Sequence, residues 1–208
     1  MRKLVTGVDA TGHTRVVAET PLILEAPGLD TVTDMERFML AGRTAKSAEV
    51  WVAGASISVD ASGRFAQLMS IDSVGETNVT VRANAAGLAP RFASFRLRRV
   101  KELRAELEIL SRSALPLAKV ASNLEAYVDR PVLVRGKVQE ARVDGQRTFV
   151  IVASEDECDG RFCLARLVYG GLRKLERGMS VTAVGRLLGG VGAAGAERIP
   201  EIEVSLLR

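Results

Sequence analysis

The chain has 208 residues, of which 47% are hydrophobic, 26% charged and 4% aromatic, and it carries a formal net charge of +4 at pH 7. This length suits one large domain or two small ones, and the composition allows a core of Val, Leu, Ile and Ala. The weak positive charge is spread along the chain and gives little support to nucleic-acid binding. The sequence contains no run of about 18 apolar residues, the length that a membrane-spanning helix needs. The start, MRKLVTGVDATGHTRVV, lacks the apolar segment of a signal peptide. We therefore expect either a cytosolic protein or the soluble part of a longer one.

Residues 1–20 are predicted to form an N-terminal extension or a strand pair, and residues 21–99 a β-domain. Within the β-domain, short alternating runs are separated by turn residues at intervals of roughly 8–12 residues, as in a β-sandwich. The runs are Pro21–Gly28, Arg37–Gly42, Ala48–Gly54, Ile57–Met69, Thr77–Gly87 and Pro90–Arg99. In AEVWVAG the two valines share one face, while Glu49 and Trp51 share the other.

The stretch VDASGRF predicts a hairpin in which Gly63 takes a positive φ. With its neighbours, it makes residues 21–99 resemble the bacterial Ig-like modules typified by the B domain of glucodextranase. The resemblance lies in AGRT (41–44), AEVWVAGASISVDASGRF (48–65) and GETNVTVRANAAG (75–87). Asp60, Gly63 and Phe65 match the family's Asp-x-x-Gly-x-Phe hairpin, whereas the turn before the second strand reads Ala-Gly where Asn-Gly is commoner. The resemblance implies an Ig-like sandwich in an exported or envelope protein, as a spacer or binding unit.

Residues 100–127 are predicted to form a helical connector, because apolar residues recur there at helical spacing in two stripes separated by Pro116. The stripes are Val100, Leu103, Leu107 and Leu110, and then Leu117, Val120, Leu124 and Tyr127. Neither stripe is long or apolar enough for a helix that is stable alone. We therefore expect the connector to pack on the segment that follows.

Residues 128–208 are predicted to form a five-stranded barrel. Its strands are expected at Val132–Val143, Thr148–Ser154, Phe162–Gly170, Met179–Gly190 and Ile199–Arg208. A helical turn is expected at Gly171–Gly178, and Gly136 allows the first strand to coil. This β-β-β-α-β-β order is that of the OB-fold, with a simple β-meander as the alternative.

The C-terminal half, from about Leu117 to Arg208, resembles the tRNA-anti-like family of OB-folds. Tyr127 precedes VRGKV (134–138) as an aromatic residue precedes the family's first strand, and LRKLERGMSVTAVGRLLG (172–189) is similar to its later strand entry. The resemblance implies an OB-fold. It does not imply nucleic-acid binding, because many members of this family belong to membrane or exported proteins.

Cys158 and Cys163 are the only cysteines of the chain. A zinc site needs about four ligands, and redox pairs usually read Cys-x-x-Cys at the start of a helix. We therefore predict a disulfide across the hairpin of the second and third barrel strands, with the two cysteines directly opposite each other at the ends of a loop of residues 159–162. Free thiols in a reducing cytosol are the alternative.

No catalytic residue, metal site or cofactor is predicted. His13 is the only histidine and has no partner residues in the sequence for a catalytic triad or a zinc site. Consecutive strand residues alternate faces, so the carboxylates of Glu155, Asp156 and Glu157 would not converge on one cation. This acidic run is therefore expected to be a solvated loop without a metal ion. We therefore expect the protein not to be an enzyme.

Nucleic-acid binding is the main alternative function, since OB-folds bind single strands with aromatic side chains and a basic groove. The residues predicted for such a surface are Arg135, Lys137, Arg166 and Tyr169. Few aromatic residues fall in the barrel strands, which leaves little surface for base stacking.

We expect a non-enzymatic binding or scaffold segment of a bacterial envelope protein, acting in the periplasm or at the cell surface and anchored by a segment N-terminal to this chain. Its partner would be another envelope protein or a cell-wall component. The alternatives are a cytoplasmic OB-fold that binds single-stranded nucleic acid and a carbohydrate-binding accessory module. For the last, Trp51 is the candidate ligand-facing aromatic, although its burial in the core is the stronger expectation. Partner and oligomeric state are not indicated by the sequence.

Overall fold

The computed structural model describes residues 4–8, 14–158, 161–192 and 198–208. The fold is mainly β, with two helices in the described part of the chain. The N-terminal strands are β1 (Leu4–Val8), β2 (Thr14–Ala18), β3 (Leu22–Ala26), β4 (Asp30–Thr33), β5 (Arg37–Thr44), β6 (Glu49–Val52), β7 (Ala55–Ile57), β8 (Arg64–Ser70), β9 (Gly75–Asn84) and β10 (Arg91–Arg99). Strands β1 and β2 form an antiparallel pair.

Strands β3 to β10 form a two-sheet sandwich, as the alternating runs predict. One sheet has the order β3-β5-β8 and the other the order β4-β10-β9-β6-β7. Their inner faces enclose a core in which Leu40, Val50, Val81 and Leu97 are fully buried. Strand β4, which the sequence analysis does not predict, pairs in parallel with the end of β10.

The hairpin before β8 forms as VDASGRF predicts. Asp60 Oδ1 accepts hydrogen bonds from the backbone N–H groups of Ser62 (2.8 Å) and Arg64 (2.9 Å) and from the Ser62 hydroxyl (2.7 Å). Gly63 takes a φ of 84°. The hydrogen bond from the Ser62 hydroxyl, followed by that from Arg64 N–H, lowers the pKa of Asp60. The Asp60 carboxylate therefore closes a turn that only glycine accommodates easily.

The connector contains two helices, as its apolar stripes predict. They are α1 (Leu103–Ser113) and α2 (Leu117–Ala121), with a two-residue strand β11 (Leu115–Pro116) between them and a short 3-10 turn (Glu125–Tyr127) after α2. Leu117 and Val120 are completely buried in the core of the following barrel. The apolar face of α2 is therefore part of the barrel core, as expected for a helix too short to be stable alone.

The C-terminal strands close into a five-stranded barrel. They are β12 (Pro131–Asp144), β13 (Arg147–Cys158), β14 (Arg161–Tyr169), β15 (Ser180–Val191) and β16 (Ile199–Leu207). The order is β12-β13-β14-β16-β15, with β15 pairing back to β12 and β14 running parallel to β16. This is the strand order of the OB-fold, so the barrel prediction is confirmed and the meander alternative is wrong.

The helical turn expected at Gly171–Gly178 is wrong, because that segment contains no helix. The Thr148 hydroxyl donates to Gly171 O (2.7 Å) and its oxygen accepts from Arg173 N–H (3.0 Å), which holds the start of the segment against β13. The barrel core is instead covered by α2, which precedes the first barrel strand. Leu175 of this segment packs against the barrel core all the same, so the segment buries an apolar side chain without forming a helix.

The sandwich and the barrel are in direct contact. Val32 on β4, Leu107 on α1, and Val184 and Leu206 on the barrel form one buried apolar cluster. The buried Glu25 also joins the two units, because it forms an ion pair with Arg43 of the sandwich and accepts a hydrogen bond from Gln146 N–H of the barrel (3.1 Å). The residue boundaries predicted for the separate domains stay predictions, since these contacts join the two units.

No helix in the described part of the chain is long and apolar enough to span a membrane.

Candidate functional site

Three large side chains lie in one row across the outer face of the five-stranded sheet. The strand register pairs Trp51 on β6 with Arg82 on β9, and Arg82 with Phe92 on β10. Side chains paired in this way point to the same face, with Cβ atoms about 4.5–5.5 Å apart. Trp51 is 39% exposed and Phe92 60% exposed. These three residues, called the aromatic row below, present a cation between two aromatic side chains to solvent.

The surroundings of the aromatic row are polar and nearly neutral. In the next row, the hydroxyls of Thr80 and Ser94 are hydrogen-bonded to each other at 2.9 Å. Beyond them, Arg96 is held by Asp30 at 2.5 Å, and this hydrogen bond raises the pKa of the Arg96 guanidinium. Among the described residues, Arg82 has no ion-pair partner. Its charge is therefore available to a ligand that covers the two rings.

Trp51 is not in the core, so the stronger expectation for it is wrong. The two valines on either side of it fill the core side of β6, and the period-two alternation leaves Trp51 on the outer face. No local pattern in the sequence identifies Arg82 or Phe92 as neighbours of Trp51. Their alternation patterns could have placed both on an outer face, but only the strand order brings them beside Trp51.

The residues predicted for nucleic-acid binding do not form one basic surface. Arg135 and Lys137 are exposed on the outer face of β12. Arg166 forms an ion pair with Glu201, donating through Nε at 2.9 Å, so its charge is largely neutralised. Tyr169 packs partly against the barrel core, and the Arg173 guanidinium lies 5.5 Å from its ring centroid. Within the described residues, only Arg135 and Lys137 of these four therefore remain as cations without an ion pair or an aromatic contact.

An aromatic residue that the sequence analysis leaves unassigned lies on the outer face of the barrel. The guanidinium groups of Arg142 and Arg166 lie 5.7 and 5.6 Å from the ring centroid of Phe149. Arg142 reaches this face because a β-bulge between Val138 and Glu140 shifts the alternation of β12 by one residue. Without the bulge, strict alternation from Arg135 and Lys137 would place Arg142 on the opposite, inner face.

Five arginines of the basic stretch from Arg91 to Arg104, which also contains Lys101, form ion pairs with carboxylates. The pairs are Arg91–Glu19, Arg96–Asp30, Arg98–Glu106, Arg99–Glu36 and Arg104–Glu108. Each of these five arginines contacts a carboxylate on a neighbouring segment or on the next helical turn. This stretch therefore presents little net positive field to a polyanion.

Cys158 and Cys163 are joined by a disulfide, with their Cα atoms 5.0 Å apart. The expected geometry is wrong in one respect: Cys158 pairs across the hairpin with Arg161, so the bridge runs diagonally. The ladder is irregular between Ala153 and Glu157. This irregularity changes which residues face each other near the hairpin end and brings Cys163 within reach. The Cys163 side chain is buried in the barrel core.

Removing the disulfide should destabilise the barrel. For so short a ring, the loop-entropy model gives a loss of about 2 kcal/mol in the free energy of unfolding. We expect this loss in chemical denaturation of the C158A/C163A variant. Wild-type protein in reductant is the matched control, because it loses the crosslink but keeps both side chains. If the midpoints of oxidised and reduced wild-type protein coincide, the prediction is wrong.

The remaining candidates for chemistry have structural roles or fall outside the described residues. The acidic run Glu155, Asp156 and Glu157 lies within strand β13, so the expected solvated loop is wrong. Asp156 Oδ2 accepts a hydrogen bond from Ala118 N–H at 3.3 Å and so holds the start of α2. Within the part of the chain that the structure describes, no group of three His, Cys, Asp or Glu side chains could hold a metal ion. His13 lies outside the described residues.

Comparisons with known proteins add little to this geometry. No protein-family model matches the chain, and no curated protein matches it. Among solved structures, the chain is similar to an aspartyl-tRNA synthetase from Leishmania major Friedlin, at 17% identity and with a TM-score of 0.32. The match covers 46% of this chain and only 20% of the synthetase. A likeness of this size carries no argument about function, and the two family resemblances stay predictions.

Proposed function

We propose that this chain is a non-enzymatic binding segment of a bacterial envelope protein, and that the aromatic row is its contact surface for an envelope protein or a cell-wall component. The observation that carries the proposal is the arrangement of Trp51, Arg82 and Phe92 side by side on an exposed sheet face. Trp and Arg are the residue types that contribute most to the centres of protein interfaces. A flat sheet presents them with little conformational freedom to lose on binding.

The disulfide supports the extracytoplasmic part of the proposal. A bridge at the end of a hairpin persists in an oxidising compartment and is rare in the cytosol. Here its two sulfurs close the end of β13 and β14 and one of them belongs to the barrel core. The bridge therefore stabilises a binding scaffold rather than a reactive site.

The proposal is tested by site-specific photocrosslinking followed by affinity measurement. A photoreactive residue at position 51 should give a defined adduct with one envelope protein or cell-wall fragment in living bacteria. One at position 109, an exposed isoleucine on α1, serves as the matched control. With the purified partner, Trp51→Ala should weaken binding at least about tenfold, since central aromatic residues contribute about 2 kcal/mol or more. Thermal melting of the variant checks that the fold is kept.

Two results would contradict the proposal. One is an adduct pattern from position 51 that equals that from position 109, and the other is unchanged partner affinity in Trp51→Ala. The same preparations can be titrated with a single-stranded oligonucleotide at low salt. Binding that is lost in the R135E/K137E double variant would favour the nucleic-acid alternative, because those two exposed cations are its remaining support.

A further inference from the structure

Strand β8 has an unpaired edge. In the described part of the chain its hydrogen-bonded neighbour is β5, and it forms the outer limit of the three-stranded sheet. The ladder to β5 is flanked by hydrogen bonds from Thr44 N–H to Gly63 O (2.7 Å) and from Ile71 N–H to Glu36 O (2.9 Å). In an antiparallel pair every second residue forms backbone hydrogen bonds to the neighbouring strand. Phe65, Gln67 and Met69 therefore form the backbone hydrogen bonds between β8 and β5.

The intervening residues direct their backbone groups to the open side. Those of Arg64 are already used, because its N–H donates to Asp60 Oδ1 (2.9 Å) and its C=O accepts from Asp60 N–H (2.8 Å). Ala66, Leu68 and Ser70 therefore present three N–H and three C=O groups that have no partner among the described residues. Natural edge strands are usually protected by lysine, proline or a covering segment. The interior of β8, FAQLM, has neither residue.

We propose that β8 pairs in antiparallel fashion with β8 of a second copy of this chain, with the two-fold axis at Leu68. In this register Leu68 lies opposite Leu68 of the second copy, and Ala66 opposite Ser70. All three open residues of each strand are used, which gives about six backbone hydrogen bonds. The two three-stranded sheets become one continuous six-stranded sheet. The contact is isologous and closed, as in a two-fold dimer.

The side chains fit the same register. Met39 pairs with Leu68 on the outer face, and these residues are 38% and 53% exposed. Pairing about Leu68 joins them to the same two residues of the second copy in one apolar row of four. Two residues further out at each end, Arg64 comes opposite Asp72 of the second copy. Both are exposed, and neither forms an ion pair with another described residue.

The dimer edge is separate from the aromatic row. Strand β8 belongs to the three-stranded sheet, whereas the aromatic row lies on the outer face of the five-stranded sheet. Dimerisation therefore leaves Trp51, Arg82 and Phe92 accessible, and the two surfaces can be tested by different variants.

Sedimentation equilibrium of the full chain tests the proposal. Wild-type protein should show a concentration-dependent monomer–dimer equilibrium. Leu68→Lys places two ammonium groups opposite each other at the axis and should raise the dimer dissociation constant at least about tenfold. Ile109→Lys is the matched control, since this exposed apolar residue (57%) lies on α1 and belongs neither to β8 nor to the aromatic row, and it should leave the equilibrium unchanged.

A charge reversal tests the register itself. Arg64→Asp should weaken the dimer because it places an aspartate opposite Asp72, and the R64D/D72R double variant should recover most of the wild-type affinity. The proposal is overturned if the wild-type protein stays monomeric at all concentrations, as it would if the edge served an extended peptide of another protein. It is equally overturned if Leu68→Lys leaves the dimer intact or if the double variant does not recover. Circular dichroism confirms that each variant is folded.

Discussion

Replacing Gly136 with alanine should destabilise the barrel by about 3 kcal/mol or more, a value at the upper end of overpacking costs. A Cβ atom at this position comes within 2.7 Å of Ser154 Cα and closer still to Ala153 O, and both are backbone atoms of the paired strand. Side-chain rotation cannot relieve that overlap, so β12 and β13 would have to separate at the point where β12 also pairs with β15. For a chain of this size we expect the melting temperature to fall by about 6–12 °C.

The measurement is thermal and chemical unfolding of Gly136→Ala beside Gly28→Ala. At Gly28 the nearest atom to an added Cβ is Thr31 Oγ1 at 3.4 Å, which is an ordinary contact. The free energy of unfolding of that control variant should stay within about 0.5 kcal/mol of the wild-type value, as it usually does for substitutions without a specific clash. Equal stability of the two variants would contradict the close approach of Gly136 on β12 to the backbone of β13.

Leu206→Ala should have the second large effect, a loss of about 3–4 kcal/mol in the free energy of unfolding, as for other fully buried leucines. Leu206 is completely buried against Val32, Leu107 and Val184, outside the barrel core and between the barrel and the sandwich. Its truncation leaves a cavity at this contact. We therefore also expect faster hydrogen exchange in β4 and α1, because the sandwich and the barrel lose part of the cluster that joins them.

Leu188→Ala is the matched control for this prediction, since Leu188 lies on the neighbouring strand β15 and is 41% exposed. It should lower the free energy of unfolding clearly less than Leu206→Ala does, and it should leave hydrogen exchange in β4 unchanged. Slower or unchanged exchange in β4 and α1 of Leu206→Ala would mean that the apolar cluster does not couple the two units.

Local patterns of the sequence account for much of the fold. Alternation around Val50 and Val52 places β6 correctly, and Asp60 with Gly63 closes the hairpin before β8 by contacts within five residues. The apolar stripe at Leu117 and Val120 predicts α2. Such features depend on neighbours close in sequence, so the pattern contains the information needed.

Other features of the fold could not be predicted from local sequence patterns. The helical turn expected at Gly171–Gly178 is absent, and the start of that segment is instead held by hydrogen bonds to Thr148, which is distant in sequence. Strand β4 is only four residues long and is stabilised by parallel pairing with β10. The candidate site shows the same limit: Trp51 was a candidate from its alternation, but Arg82 and Phe92 join it only through the order β10-β9-β6.

The sequence by itself determined the mainly β class, which residues of β6 share a face, the Asp60 hairpin and the pairing of the only two cysteines, because alternation, turn chemistry and a short separation are local properties. Tertiary structure decided which faces stay open and which are covered. Bulges after Val138 and at Ser205 shift the alternation, so Arg142 turns to the outside of the barrel and Leu206 to the contact with the sandwich. Strand order then places the aromatic row on an open face and leaves β8 at an edge, since these depend on which strands become neighbours rather than on any one strand.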